Sequence, residues 1–199
     1  MASHDRSASP DTASPPSKRA KSWPRLTGRS EAMLRLERDI ARVGEFDCSV
    51  LVTGETGCGK EEVAHAIHSC GARCRGPFVA VNCGGVVASL AESLLFGHVK
   101  GSFTGADESA GGAFRAAHGG ILFLDELGEM PLDLQPKLLR ALQQREVVPV
   151  GTNVPVSVDV QVIAATNRDL EADVEAGRFR EDLLYRLNTV HIHVPPLRE

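Results

Sequence analysis

The chain has 199 residues, 42% of them hydrophobic and 24% charged, with a formal net charge of −4. That is room for one soluble domain with its own core, and no apolar run reaches the roughly 18 residues that a bilayer crossing needs, so no membrane span is expected. The N-terminus lacks the apolar stretch of a secretory leader. Five cysteines, an odd number and few for this length, suit a reducing cytoplasm rather than a disulfide scaffold.

The charge is unevenly spread. Arg6, Lys18, Arg19, Lys21 and Arg25 outnumber Asp5 and Asp11 in the first 25 residues, so the remainder is more acidic than the net value. An acidic body argues against broad nucleic-acid binding. Residues 1–25 are rich in Ser, Ala and Pro and nearly empty of aliphatic side chains, a composition that cannot offset its ordering entropy; a disordered tail is expected there.

From residue 26 the pattern changes. SEAMLRLERDIARV (30–43) places Met33, Leu36, Ile40 and Val43 at helical spacing behind a possible N-cap, Ser30. CSVLVT (48–53) reads as a buried strand and KEEVAHAIHSC (60–70) as a helix. PFVAVNC (77–83), ILFLDE (121–126), VDVQVIAATN (158–167) and TVHIHV (189–194) are four further strands, with LDLQPKLLRALQQ (132–144) and GRFREDLLYRL (177–187) as helices. Apolar strands alternating with helices predict an α/β fold, a five-stranded parallel sheet covered on both faces in three layers. Gly97–Gly120 carries seven glycines and is expected to be a long loop, either functional or disordered.

Two motifs carry chemistry. GETGCGK (54–60) fits the phosphate-loop pattern G-x-x-x-x-G-K between a strand and a helix: Gly54, Glu55, Thr56, Gly57, Cys58 and Gly59 turn backbone amides onto a phosphate, and Lys60 reaches the β- and γ-phosphates. Glu61 stands where the general motif has a Mg-binding Ser or Thr. ILFLDE then ends in paired carboxylates at the sheet edge where ligands bind. Asp125 is the expected Mg²⁺ ligand, and Glu126 the group that polarises an attacking water; a capping Asp-Glu is the plainer alternative. Asn167, ending the fourth strand, suits a neutral contact to the γ-phosphate or the water, or a simple turn. Asn82, ending the second, is close enough in sheet order to reach Glu126, a contact the residues alone leave open. Cys58 is either a small filler or a thiol activated by a helix N-terminus. His65, His68, Cys70 and Cys74 lack a zinc-site spacing, and a helix plus a turn accounts for them.

Together these segments resemble the central AAA+ ATPase domain of sigma-54-dependent transcription activators, the bacterial enhancer-binding proteins. LTGRSEAM (26–33) is similar to the family's opening segment near the adenine, GETGCGKE to its Walker A, and LFGHVKGSFTGA (95–106) to the flanks and body of its signature GAFTGA loop, with Ser102 in place of Ala. GGILFLDELGEMP (119–131) is similar to its Walker B, ATNRDL (165–170) to sensor I, and GRFREDLLYRLN (177–188) to the segment with its trans-acting arginines. In the family Glu follows the Walker A Lys, as Glu61 does here.

The resemblance implies a P-loop NTPase of the AAA+ type spanning residues 26–199 that binds ATP and Mg²⁺, assembles as a homo-oligomeric ring, usually a hexamer, and hydrolyses ATP between subunits. It implies that Asn82 holds Glu126 according to nucleotide state and that Arg180 and Arg186 act on the neighbour's γ-phosphate. On 100° helical steps these two arginines border a stripe of Phe179, Leu183 and Leu187. Gly101, Ser102, Phe103, Thr104, Gly105 and Ala106 would contact sigma-54 on its RNA polymerase holoenzyme, with Phe103 as the exposed anchor. Family members continue beyond VPPLRE into a helical lid, and most then into a DNA-binding helix-turn-helix; without them, weak nucleotide affinity, poor assembly and no specific DNA binding are expected. A non-catalytic module that binds sigma-54 or joins mixed rings is the rival reading. An unrelated P-loop enzyme would leave Phe103, Thr104 and the paired arginines without a purpose.

Overall fold

A computed structural model describes residues 30–85 and 87–196. The expected tail at 1–25 and the opening Leu26–Arg29 lie outside the described residues.

The first helix, α1 (Glu31–Val43), starts where the Ser30 hydroxyl accepts the Met33 amide at 3.2 Å, and it buries Leu36, Ile40 and Val43. After it come β1 (Val50–Thr53), α2 (Lys60–Cys70), β2 (Phe78–Asn82), α3 (Ala88–Phe96), α4 (Gly112–Ala116) and β3 (Ile121–Asp125). The second half holds α5 (Gln135–Gln144), a short hairpin of β4 (Glu146–Val147) and β5 (Val156–Ser157), β6 (Gln161–Thr166), α6 (Leu170–Glu175), α7 (Glu181–Leu187) and β7 (Val190–His193).

β1, β2, β3, β6 and β7 form one parallel sheet in the order β2-β3-β6-β1-β7. Alternating side chains feed two separate cores. Leu122 and Leu124 pack with α3, α4, α5 and α7, while Ile121 and Phe123 pack with α1 and α2 on the other face. Each fully buried aliphatic contributes about 1.5–3 kcal/mol of transfer free energy, so a strand apolar on both faces is stable only in this sandwiched position. All five expected strands and the three-layer arrangement are present.

Three local expectations are corrected. The region 97–120 is not one loop: Gly112–Ala116 is helical and buries Ala113 and Phe114. The predicted helix 177–187 begins only at Glu181, because the amides of Arg178 and Phe179 donate to the Asp173 carbonyl at 2.8 and 3.1 Å and turn the chain before it can coil. Phe179, Leu183 and Leu187 are buried as expected, but Arg180 is the N-cap rather than a member of the helix. Finally, α3, α6 and the hairpin are additional elements, too short for periodicity to reveal. No helix among the described residues is long and apolar enough to cross a membrane.

Candidate functional site

Parallel register brings the polar ends of four strands to one edge. Thr53 pairs with Thr166, and Asn82 with Asp125, so the residues that follow β1, β3 and β6 emerge side by side. The chain leaving β1 stays in line because the Gly54 amide donates to the Thr166 carbonyl at 3.3 Å.

The phosphate loop follows. Gly57 and Gly59 have φ of 78° and 95°, and a Cβ on either would meet open space, so backbone conformation rather than crowding requires glycine there. Gly59 caps α2 without a side-chain bond, which leaves the first-turn amides and the helix dipole to act on an anion. The Lys60 ammonium lies across the loop and donates to the carbonyls of Gly54 at 3.0 Å and Glu55 at 2.9 Å. Cys58 is buried with the apolar core under α2, its Sγ 2.7 Å from where a Cβ on Gly54 would stand, so it serves as a filler. Glu61 lies along α2 with an oxygen 3.8 Å from His65 Nε2, largely exposed.

Across from the loop, Asp125 Oδ1 accepts the Glu126 amide at 2.9 Å, and Glu126 adopts a left-handed φ of 51° as the strand breaks into a 3₁₀ turn, Leu127–Glu129. Such a conformation is uncommon outside glycine and clusters at functional positions. The Glu126 carboxylate folds over Gly84: a Cβ there would come within 2.0 Å of Glu126 Oε2 and 3.1 Å of Asn82 Oδ1. Asn82 Oδ1 itself accepts the Gly84 amide at 2.6 Å. The sequence-expected pair Asn82 and Glu126 thus meets over one glycine. Burial pushes the neighbouring Cys83 thiol up to about 12, with the charges of Asp125 and Glu126 adding to the effect. Asn167 closes the site by donating from Nδ2 to Thr56 Oγ1 at 3.0 Å.

A cavity of about 370 Å³ opens beside this edge, lined among others by Gly54, Glu55, Asn167, Thr53, His191 and His193. Thr53 Oγ1 lies 2.7 Å from His191 Nε2 and 3.3 Å from His193 Nδ1, a polar cluster that the strand pattern did not reveal. His65 and His68 instead pack on Phe78, and Cys70 Sγ donates to the Ile40 and Ile67 carbonyls.

The two expected arginines bond to partners outside the phosphate loop. Arg180 forms a two-pronged ion pair with Asp182, at 3.0 and 2.7 Å. Arg186, at the far end of α7, donates to the Leu142 carbonyl at 3.1 Å beside Cys48, Ser49 and Gln161, at the edge where β1 and β6 begin.

The loop that carries residues 101–106 runs between α3 and α4. Its base is clasped where His98 and Ala110 exchange backbone hydrogen bonds of 2.9 and 3.0 Å, and Val99 and Val150 bond at 3.0 Å. The tip is closed by Gly101 donating to the Ala106 carbonyl at 2.9 Å, and Ala106 to that of Phe103 at 3.1 Å. Thr104 and Gly105 are exposed and Ala106 is buried. Phe103 is 40% exposed, its other side resting edge-on against the His98 ring at 5.0 Å. His98, which sequence reasoning passed over, lies 2.7 Å from Ser93 Oγ and donates to the Glu108 carbonyl at 2.9 Å. Ser102 turns inward, its hydroxyl buried without a partner.

A family model described as the sigma-54 interaction domain matches residues 26–193. The chain is 52% identical over 174 residues to the DNA-binding transcriptional regulator NtrC of Rhizobium meliloti, covering 87% of this chain and 36% of that one. Among solved structures it resembles NtrX from Brucella abortus in complex with ADP, with a TM-score of 0.79, 42% identity and coverage of 86% and 37% of the two chains. It also shares the fold of the P-loop NTPase domain of a sigma-54 activator from E. coli, with a TM-score of 0.58, 21% identity and coverage of 86% and 99%. The chain therefore spans little more than a third of the length of the curated relative it matches.

Proposed function

The chain belongs to the family of sigma-54 interaction domains, and from that premise we propose that it hydrolyses ATP in the cytoplasm and uses the turnover to remodel the RNA polymerase holoenzyme carrying sigma-54. Residues 26–199 form the AAA+ domain on this reading, with 1–25 as a tail. The observation that carries it is the meeting of the 54–60 loop, Asp125–Glu126, Asn82 and Asn167 on one edge of a parallel sheet.

The amides of Gly54 to Glu61 cradle the phosphates, and the Lys60 ammonium exchanges its two loop carbonyls for phosphoryl oxygens. Asp125 presents a hard carboxylate oxygen, which suits Mg²⁺, a cation that takes one or two carboxylates together with phosphate oxygens and water. When bound there with the nucleotide, Mg²⁺ neutralises charge on the β- and γ-phosphates. Glu126 polarises the attacking water, Asn82 holds or frees Glu126 over Gly84, and Asn167 fixes the γ-phosphate side of the site. Arg180, paired with Asp182, and Arg186, bonded to the Leu142 carbonyl, serve a neighbour's site in a ring, a hexamer on the family pattern. A permanently charged planar guanidinium is suited to that task. Phe103 and Thr104 contact sigma-54, on a tip shaped by Gly101, Ser102, Gly105 and Ala106; a half-exposed aromatic is costly in water and useful as an anchor.

The test is Mg-ATP hydrolysis by the 199-residue chain over a wide protein concentration range, with Glu126→Gln as the control and sigma-54 capture measured beside it. Specific activity that rises with concentration and vanishes in the control is the expected result. Absent turnover combined with capture that Phe103→Ala abolishes would overturn the enzyme reading in favour of a binding module.

A further inference from the structure

Gln135 is fully buried in an apolar layer that includes Met130, Leu134 and Leu138. A carboxamide in such a place costs free energy unless its polar atoms are paired. The Gln135 carboxamide is paired, and with a narrow set of partners. Nε2 donates to the carbonyls of Met130 at 3.2 Å and Arg178 at 3.1 Å, and Oε1 accepts the backbone amide of Arg180 at 2.8 Å. Met130 ends the 3₁₀ turn that begins straight after Glu126. One side chain therefore staples the chain leaving the Walker B strand to both sides of the segment that carries Arg180.

A second tie runs parallel to the first. Asp173, 3% exposed, receives Arg168 Nε at 2.7 Å and Arg178 Nε at 2.8 Å, and Arg168 also donates to Glu129 at 3.0 Å. Arg168 follows Asn167 directly, so the tie starts at the site and ends at the same segment. α7 itself buries Leu183 and Leu187, whereas the two ties act on residues ahead of its first turn. What the two ties set is the place of residues 178–180.

We propose that Gln135 is a positioning residue for Arg180, so that the arginine a subunit offers its neighbour is held in register with the subunit's own Glu126. The proposal rests on the reading of Arg180 as acting in the neighbouring site. It gives a route by which the state of one site alters the help given to the next: a shift of the turn after Glu126 moves the Met130 carbonyl, and Gln135 transmits that to the Arg180 backbone.

The probe is Gln135→Met, which keeps the shape and removes the three hydrogen bonds. Hydrogen exchange of the full chain without nucleotide is the activity-free arm. The Arg180 amide is expected to exchange at least about tenfold faster in the variant while β3 and β6 amides keep their rates. Unchanged exchange at Arg180, or acceleration throughout the domain, overturns the proposal.

The second arm mixes subunits. Gln135→Met alone is expected to lose kcat with little change in KM. Mixing with Glu126→Gln, which cannot hydrolyse but offers an intact Arg180, restores turnover, because the two defects lie on opposite sides of an interface. A defect confined to the variant's own site would not be complemented. The control pair is Arg180→Ala with Glu126→Gln. If the control complements and Gln135→Met does not, the positioning role is wrong. If neither complements while wild type turns over, the reading of Arg180 as a trans-acting group is wrong and the proposal falls with it. Background turnover by the wild-type chain at every concentration overturns the ATPase reading for this chain, and this proposal too.

Discussion

The Asn167 carboxamide donates to the Thr56 hydroxyl at 3.0 Å, tying the end of β6 to the middle of the phosphate loop. Through its hydroxyl, Thr56 thus aims the amide that the proposed mechanism directs at the γ-phosphate. Asn167→Ala is expected to lower kcat about 100-fold, in the range for losing one donor to the transition state. Thr56→Val leaves the amide in place but unaimed, so a loss nearer tenfold is expected, with steady-state turnover as the measurement for both.

Gly84 lies beneath the Glu126 carboxylate, where an added Cβ would come within 2.0 Å of Oε2. Gly84→Ala must therefore displace the Glu126 carboxylate, at a position outside the phosphate loop. The expected outcome is lost turnover with retained ATP binding. Equilibrium binding of a fluorescent ATP analogue, measured beside hydrolysis, separates the two.

Ser102 keeps a buried, unpartnered hydroxyl where its Cβ packs beside Gly151, whose added Cβ would lie 2.5 Å from it. Removing an unpaired buried hydroxyl recovers part of its desolvation cost, so Ser102→Ala should stabilise the chain by about 1 kcal/mol. A rise in the denaturant midpoint with unchanged slope is the check.

The guanidinium of Arg168, with that of Arg178, holds the Asp173 carboxyl below the usual carboxylate range. A carboxyl with a depressed folded pKa contributes stability above its unfolded value, about 3.9, and loses it as pH falls through the folded value. Asp173→Asn is expected to cost about 3 kcal/mol at pH 7, because two guanidinium groups lose a buried partner. Its stability should also fall less steeply than wild type below about pH 4. Chemical denaturation across pH 3–7 measures both effects.

Exposed Cys74 is expected to alkylate first and Cys83 last, since burial pushes the Cys83 thiol up to about 12 and only a thiolate reacts. A time course of iodoacetamide labelling at pH 8, followed by peptide mass spectrometry, gives the order.

Gly57, Gly59 and Lys60, the paired carboxylates after an apolar strand, and the two-faced strands were legible in the chain because each follows from local rules. A positive φ calls for glycine, a strand apolar on both faces calls for two covering layers, and helical spacing shows which side of α1 is buried. One further signal was present and unread: Gln135 stands at the spacing of Leu138 and Ala141, a polar group on a buried face. Its partners, however, lie 5 to 45 positions away, and no local period encodes them.

The sequence by itself determined the parallel α/β architecture, the phosphate loop and the carboxylate pair, because backbone sterics and hydrophobic periodicity act over a few residues. Only the tertiary structure decided that Glu126 folds over Gly84, that Phe103 rests on His98, that Ser102 faces inward, and that Arg180 caps α7 under the hold of Gln135. Those relationships depend on which strands pair and how buried polar atoms find partners across the chain, and packing settles both only when the whole domain is assembled.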